Sequence, residues 1–185
     1  MNNRGFTLVE ILAMLVVLGV LMAITIPNIT GIMNNNKLTI TYEDANKLVE
    51  SAKTQIVADR SLKLKSAGDC IVFTMDYLDR NDDFKMATNG GTYDKYASFV
   101  VARRVDKGSG VVADEYYVRL VEVTDDAKFG IELTNIDLIV TNPEDHVGEI
   151  KTTATLKGVT SEIDSINTVN SLQSGLCTNS RGYFK

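Results

Sequence analysis

The feature that most constrains this chain is an apolar run near its N-terminus that contains a single charge. Residues 6–26 are 21 in number, and Glu10 is the only charged residue among them. A helix of that length covers roughly 30 Å, about the thickness of the hydrocarbon core of a bilayer. A charge at the centre of such a segment costs roughly 2.5–3.5 kcal/mol on insertion scales, and less nearer the interface. We therefore expect Glu10 to have a partner or a function.

Two ordinary interpretations of this segment leave Glu10 unexplained. A cleaved secretory signal peptide fits the short basic leader with Arg4, but the run is longer than a usual apolar region and no A-x-A cleavage site follows it. A permanent signal anchor fits the length of the run. Neither interpretation accounts for the abrupt change from polar to apolar sequence between Gly5 and Phe6.

The stretch RGFTLVEIL at residues 4–12 resembles the class III signal of type IV prepilins. That signal is a short basic leader ending in glycine, followed by Phe-Thr-Leu-x-Glu at the start of a long apolar helix. The chain matches it at Gly5, Phe6, Thr7, Leu8 and Glu10. The close resemblance covers about the first thirty residues. By this resemblance the chain is identified as a member of the type IV pilin family, which includes the pseudopilins of type II secretion and competence systems.

The resemblance implies a specific processing route and a set of partners. Prepilin peptidase would cut between Gly5 and Phe6, and Phe6 would be N-methylated. The other partners would be further pilin subunits in a homopolymer, an inner-membrane platform protein and an assembly ATPase. The chain would start as a single-pass precursor in the cytoplasmic membrane and end in an extracellular filament. Gly19 and Pro27 stand where pilin stem helices carry a glycine and a helix-bending proline.

Cleavage would create a counter-ion for Glu10. The nitrogen of Phe6 would change from a neutral amide to an ammonium, and loss of Arg4 would change the formal net charge from −5 to −6. At an effective dielectric constant near 20, opposite charges about 4 Å apart attract by roughly 4 kcal/mol. The ammonium belongs either to the same chain or, as the resemblance implies, to a neighbouring subunit. The simpler alternative is that Glu10 only complements the helix dipole, which is worth about 0.3–1 kcal/mol.

Beyond Pro27 the predicted helix changes from uniformly apolar to amphipathic. Proline and glycine both weaken a helix, so we expect a bend or local opening between Gly19 and Pro27. Alternatively, Pro27 begins a second helix, and the asparagine-rich stretch 34–37 is another point of interruption. The helix is expected to end near Arg60. A stripe of apolar residues recurs along it at spacings of three and four: Ala45, Leu48, Val49, Ala52, Ile56 and Val57.

From Cys70 onward the pattern predicts strands. Runs rich in β-branched and aromatic residues occur at 70–75, 96–105, 111–123, 130–140 and 149–159, and DKGSG at 106–110 predicts a hairpin turn. The predicted fold class is α+β, with a long N-terminal α-helix packed against an antiparallel β-sheet headpiece. The predicted organisation is a leader at 1–5, an apolar helix half at 6–27, an amphipathic half at 28–62 and the headpiece at 63–185.

The two cysteines, Cys70 and Cys177, are too far apart for a C-x-x-C redox pair or a zinc knuckle. If the headpiece lies outside the cytoplasm, one disulfide is expected, and closing so long a loop is worth roughly 4–5 kcal/mol in the chain-entropy model. Two buried free thiols are the alternative. The bonded form would be similar to the disulfide-bounded C-terminal region of many pilins.

Little in the sequence points to catalysis or to a bound cofactor. His146 is the only histidine and lies in an acidic loop, where we expect a solvated side chain rather than a catalytic base or a zinc ligand. The stretch DRNDDF at 79–84 begins like an EF-hand loop, but Phe84 replaces the turn glycine and Gly90 replaces the bidentate glutamate. The net charge of −5 disfavours nucleic-acid binding. We therefore predict no catalytic residue, no metal, no cofactor and no nucleic-acid partner.

The predicted function is that of a structural subunit of a type IV pilus. It would polymerise through its N-terminal helix into a surface filament for adhesion, motility or biofilm formation. The nearest alternative is a pseudopilin of a type II secretion or competence machine. A second alternative is a membrane-anchored enzyme or binding domain, which would have a ligand cleft and would not be processed at Gly5.

Overall fold

A computed structural model describes residues 7–79, 91–124 and 128–185, apart from the side chains of residues 22–35. The chain divides into two compact units, the N-terminal unit Met1–Lys37 and the C-terminal unit Leu38–Lys185. Helix α1 runs from Leu8 to Ala58 and contributes to both. The asparagine-rich stretch 34–37 does not interrupt this helix. Its end at Ala58 lies close to the predicted end near Arg60.

The described part of the C-terminal unit contains seven strands and three further helices. The strands are β1 (Asp69–Thr74), β2 (Thr92–Tyr93), β3 (Phe99–Asp106), β4 (Val112–Val123), β5 (Lys128–Asn135), β6 (Val147–Glu149) and β7 (Asn179–Phe184). The helices are α2 (Met75–Leu78), α3 (Ile136–Thr141) and α4 (Glu162–Leu172). Single 3₁₀ turns lie at Arg60–Leu62 and Pro143–Asp145.

All seven strands belong to one sheet, in the order β6-β5-β4-β3-β1-β7, with β2 paired to β4 off this path. Only the pairing of β1 with β7 is parallel; the other described pairings are antiparallel. The α+β class is therefore confirmed. The hairpin predicted around 106–110 is confirmed as well, because Asp106 of β3 lies opposite Val112 of β4. Its turn places Gly108 and Gly110 at φ values of 88° and 76°, a region that favours glycine.

The sheet is covered on both faces because successive residues of its strands alternate between two cores. Ile71 and Phe73 of β1 belong to a first core that includes α1. Cys70 and Val72 belong to a second core, which includes Val169 of α4. The sequence analysis predicts a cover for one face only, namely the long N-terminal helix. Helix α4, which covers the other face, is not among its predicted elements.

The apolar stripe predicted on α1 is confirmed at four positions that pack into the first core: Ala45, Leu48, Val49 and Ala52. Ile56 packs against the same core and is partly buried. The prediction for Val57 is wrong, since this side chain is 81% exposed. Val57 lies one residue before the end of α1 at Ala58, and of this last pair only Ile56 packs against the core.

The first core also contains a polar pair between the helix and the sheet. The Tyr93 hydroxyl donates to Asp44 Oδ2 at 2.9 Å, and both residues are buried. Burial and the neighbouring carboxylate of Asp44 raise the pKa of Tyr93. The phenol therefore keeps its proton and acts as the donor, which satisfies a carboxylate that would otherwise be costly to bury.

Two of the predicted strands differ from the structure. The strand predicted at 130–140 ends at Asn135, whose side chain accepts the N–H of Asp137 at 2.9 Å and so caps helix α3. The strand predicted at 149–159 is wrong beyond Glu149, because β6 ends there and the chain continues without regular structure. Residues 179–184, for which the sequence pattern predicts no strand, form β7.

A buried guanidinium holds the irregular segment after β6 against the sheet. Arg119 of β4 is 1% exposed and donates to the carbonyls of Ala97, Ala154 and Thr152 at 2.9, 2.7 and 3.1 Å. Its Nε lies 3.4 Å from the Glu132 carboxylate, which also accepts the N–H of Thr152 at 3.0 Å. Burial lowers the pKa of Arg119, and the charge of Glu132 counters that effect. These bonds take the place of the strand ladder that the sequence predicts there.

A disulfide joins Cys70 of β1 to Cys177, which lies between α4 and β7. The two Cα atoms are 5.7 Å apart, and the cysteines are 107 residues apart in sequence. Both side chains are buried in the second core. The bond therefore holds the segment that leads into β7 beside β1, the strand with which β7 pairs.

Asp69, the first residue of β1, connects the chain before β1 to β7. Its Oδ2 accepts the N–H of Lys65 at 3.1 Å, the N–H of Ser66 at 2.9 Å and the Nε–H of Arg181 at 2.8 Å. Burial acts to raise the pKa of Asp69, but the hydrogen bonds from Arg181, Ser66 and Lys65 outweigh it and hold the pKa below its ordinary value. Ionised Asp69 therefore stabilises the folded chain.

Replacing Arg181 with leucine is expected to destabilise the C-terminal unit by about 1–3 kcal/mol at neutral pH, because a buried carboxylate loses a charged donor. Because the folded-state pKa of Asp69 is depressed, its contribution is present above the unfolded pKa and is lost as pH falls through the folded value. In Arg181→Leu that loss begins at a higher pH. Urea unfolding of the full chain in detergent, measured from pH 7 to pH 3, tests this. Arg181→Lys is the control that keeps the charge, and equal acid midpoints for all three proteins would contradict the assignment.

Candidate functional site

The described chain begins at Thr7, which caps helix α1. Thr7 Oγ1 accepts the N–H of Glu10 at 3.3 Å, and Glu10 Oε2 accepts the N–H of Thr7 at 2.8 Å. The Thr7 hydroxyl also donates to Glu10 Oε2 at 2.9 Å. This reciprocal arrangement is a capping box, which satisfies backbone donors that have no partner within the helix. Its sequence signal is the T-x-x-E spacing at 7–10, which the interpretation of Glu10 as a counter-ion leaves out.

Glu10 therefore has a local role as well as a predicted intermolecular one. Its side chain is exposed, and the two bonds from Thr7 both fall on the same oxygen, Oε2. The predicted partner of its charge is the nitrogen of Phe6. Gly5 and Phe6 lie outside the described residues, so cleavage, methylation and the pairing with Glu10 stay predictions.

The helix after Glu10 exposes apolar side chains in every direction. Between positions 8 and 21 the eleven large apolar side chains are each 51–79% exposed, and at about 100° per residue they cover the whole circumference. An α-helix that is apolar all round is stable when other helices or lipid cover it. The side chains between positions 8 and 21 therefore form one continuous apolar surface that requires a cover of this kind.

No helix in the described parts of the chain is both long enough and apolar enough to cross a membrane. The side chains of residues 22–27, which belong to the predicted apolar half, lie outside the described residues, as does Phe6. The bend predicted at Gly19 and Pro27 also stays a prediction. A Cβ placed on Gly19 would meet no atom within 4 Å, so no contact within the described chain requires a glycine there.

The C-terminal unit offers surface cavities but no recognisable catalytic arrangement among its described residues. His146 is partly buried and lines a cavity of about 260 Å³ together with Glu132, Asp145, Glu149 and Lys151. No group of three His, Cys, Asp or Glu side chains in the described ranges could hold a metal ion. Residues 80–90, which contain most of the EF-hand-like stretch, lie outside those ranges.

A second cavity, of about 510 Å³, lies beside the turn of the β3–β4 hairpin. Lys107 in the turn forms an ion pair with Glu115, and the Tyr117 hydroxyl donates to the same carboxylate at 3.2 Å. The hydrogen bond from Lys107 is the main cause that lowers the pKa of Glu115. Lys107 and Glu115 are therefore paired with each other and hold the turn against β4.

The capping box predicts a measurable difference between two substitutions of Thr7. Thr7→Val removes the hydroxyl and is expected to weaken the first turn of α1 by about 1 kcal/mol, which corresponds to roughly fivefold faster hydrogen exchange of its amides. Thr7→Ser keeps the hydroxyl and should exchange like the unchanged chain. Hydrogen exchange followed by NMR of the full chain in detergent micelles measures this, and equal rates for valine and serine would exclude the box.

Comparison with known families bears directly on this N-terminal region. Residues 1–26 match the family model described as the prokaryotic N-terminal methylation motif, which is the type IV pilin and prepilin signal. The resemblance inferred from RGFTLVEIL is thereby confirmed. Comparison with curated proteins and with solved structures gives no match. The motif implies a substrate of prepilin peptidase and pilus-type assembly, and it fits a membrane-anchored precursor that later joins a surface filament. The chain thus carries a type IV prepilin signal, which supports its assignment as a type IV pilin-like or pseudopilin precursor.

Proposed function

We propose that the chain is a structural subunit of a type IV pilus, which polymerises through its N-terminal helix into a surface filament for adhesion, motility or biofilm formation. The observation that carries the proposal is the prepilin signal at 1–26, within which helix α1 exposes apolar side chains on all sides between positions 8 and 21. Lipid covers such a helix before assembly and sister helices cover it afterwards. One surface therefore serves both states of the subunit.

Processing converts the precursor into a chain that can assemble. Prepilin peptidase cuts between Gly5 and Phe6, and the new N-terminus at Phe6 is methylated. The apolar half at 6–27 resides in the membrane and then in the filament core, with a bend between Gly19 and Pro27. Other copies of the chain, a platform protein and an ATPase complete the machinery. The chain itself acts as a building block, as the pilin and pseudopilin family is structural rather than enzymatic.

The charge of Glu10 gives the assembly its register. Both bonds from Thr7 fall on Oε2, an arrangement that supports a second interaction at Oε1. The ammonium of Phe6 on a neighbouring subunit is the proposed partner, and an opposite charge about 4 Å away contributes roughly 4 kcal/mol at an effective dielectric constant near 20. A subunit whose Glu10 has found this amine is therefore favoured over one that is misaligned along the apolar rod.

The processing step is tested by the intact mass of the chain extracted from membranes. We expect a protein that begins at Phe6 and carries one added methyl group, because the motif at 1–26 marks that cleavage position. Gly5→Leu should remain uncut and serves as the control. A mature chain that still begins at Met1 would favour a plain membrane anchor instead.

The role of Glu10 is tested by filament yield in three variants. Glu10→Val should leave membrane insertion and cleavage intact and reduce sheared filament yield by roughly tenfold or more, since several kcal/mol of pairing energy are lost. Glu10→Gln retains an acceptor suited to the capping box but carries no charge, so it separates the two roles. Equal loss in Gln and Val supports charge pairing, whereas normal yield in Gln refutes it. Glu10→Asp is the control that keeps the charge.

In the pseudopilin alternative, the same apolar helix surface would assemble into a short structure at the envelope instead of a long surface fibre. Electron microscopy with an antibody against the C-terminal unit distinguishes the two roles. Labelling along long surface fibres supports the pilus assignment, and its restriction to short structures at the envelope supports the pseudopilin.

A further inference from the structure

One edge of the sheet in the C-terminal unit carries an acidic surface with an apolar centre. Residues 129–150 contain five acidic residues and no lysine or arginine, although Lys128 and Lys151 flank them. Leu138 and Val140 of α3 are 55% and 56% exposed. Three exposed carboxylates come from α3 and the 3₁₀ turn before β6. We call these five residues the acidic surface: Asp137, Leu138, Val140, Glu144 and Asp145.

The chain between α1 and β1 carries a surface of the opposite charge. Its apolar member is Val57, which is 81% exposed. Leu62 and Leu64 are buried in the first core, so the residues that alternate with them face outward and are exposed. The one acidic residue within this stretch, Asp59, is engaged as the cap of the 3₁₀ turn through the N–H of Ser61 at 2.8 Å. We call four exposed residues, one at the end of α1 and three after it, the basic surface: Val57, Arg60, Lys63 and Lys65.

The two surfaces lie at opposite edges of the sheet. The acidic surface adjoins β5 and β6, and β6 ends the strand order on that side. The basic surface reaches the other end of the order at β7, because Lys65 and Arg181 of β7 both donate to Oδ2 of Asp69. Four strands, β5, β4, β3 and β1, separate the two edge strands, so the two surfaces of one copy cannot meet each other.

We propose that the acidic surface of one copy docks on the basic surface of the next copy in the polymer, an inference that rests on the proposed function. The acidic surface combines two exposed apolar side chains with three carboxylates, and the basic surface combines Val57 with three cationic side chains beside the single carboxylate of Asp59. Such surfaces match an interface with an apolar centre and a polar rim. Opposite charges across such a contact fix its register and disfavour wrong pairings. Because the contact joins two different surfaces, each added copy leaves one of each kind free, and the contacts propagate into an open filament when the rotation between copies does not close a ring.

Charge reversal on each surface, singly and together, tests the contact in cells that assemble the full chain. Glu144→Lys with Asp145→Lys places like charges opposite the basic surface and should lower sheared filament yield by roughly tenfold. Lys63→Glu with Lys65→Glu should do the same. All four substitutions in one chain restore opposite charges and should restore the yield to within about threefold. Lys157→Glu and Glu162→Lys, exposed positions outside both surfaces, are controls for net charge and should leave the yield unchanged.

Cross-linking gives a second readout that does not depend on yield. The two native cysteines are bonded to each other, so an introduced pair reports only on new neighbours. Lys63→Cys combined with Asp145→Cys should produce a ladder of covalent multimers from sheared filaments on a non-reducing gel. Either cysteine alone should give monomer or dimer at most.

The possible results separate this inference from the proposed function. Loss of yield in both reversals, with rescue in the fourfold variant, supports the contact, and the rescue also shows that the altered surfaces fold. Normal filaments from both reversals, without a cross-linked ladder, would overturn the contact while the pilus assignment stands. If the filaments form normally but no longer adhere to an external surface, the acidic surface binds a different partner. That result would also overturn the proposed contact between copies. Absence of filaments from the unchanged chain would remove the proposed function itself.

Discussion

Exposed apolar area on α1 is the constraint from which the proposed behaviour of this chain follows. Eleven large side chains between positions 8 and 21 are each more than half exposed, and covering them would recover on the order of 10 kcal/mol. A single exposed ion pair contributes about 1 kcal/mol or less. In the proposed function, burial would supply the free energy for membrane residence and for polymerisation. The charged groups at Glu10 and on the C-terminal unit would select one arrangement among equally apolar rods.

The C-terminal unit depends on a few buried polar groups as well as on its two cores. Arg119 holds the irregular segment after β6 by the carbonyls of Thr152 and Ala154, and Asp69 joins the chain before β1 to β7. Arg119 acts where no strand ladder is present, and Asp69 acts at the start of the β1–β7 ladder. Because each of these charged groups is almost inaccessible to solvent, leaving its partners unpaired would be costly. Arg119 and Asp69 therefore select one backbone conformation for segments whose local sequence is compatible with several.

Sequence patterns predicted the parts of the fold that repeat with a regular period. The α1 stripe through Leu48 and the β3–β4 hairpin follow from spacings and from turn glycines, and the prepilin signal is a local motif. The misjudged parts depend on contacts distant in sequence. The run 149–159 has strand-like composition but is directed by the Arg119 side chain, and the cap at Asn135 turns an apparent strand into α3. The capping box at Thr7 has a signal in the sequence, the T-x-x-E spacing at 7–10, but the same residues also fit the processing motif.

The parallel pairing of β1 with β7 has a consequence for the order in which the chain can fold. The partners are separated by more than a hundred residues, and closing so long a loop costs entropy before any contact compensates for it. Pairing over such separations slows folding. Until β7 arrives, β1 presents an open strand edge that other chains can occupy. Newly synthesised copies are therefore most prone to aggregate during that interval, and formation of the Cys70–Cys177 disulfide brings the interval to an end.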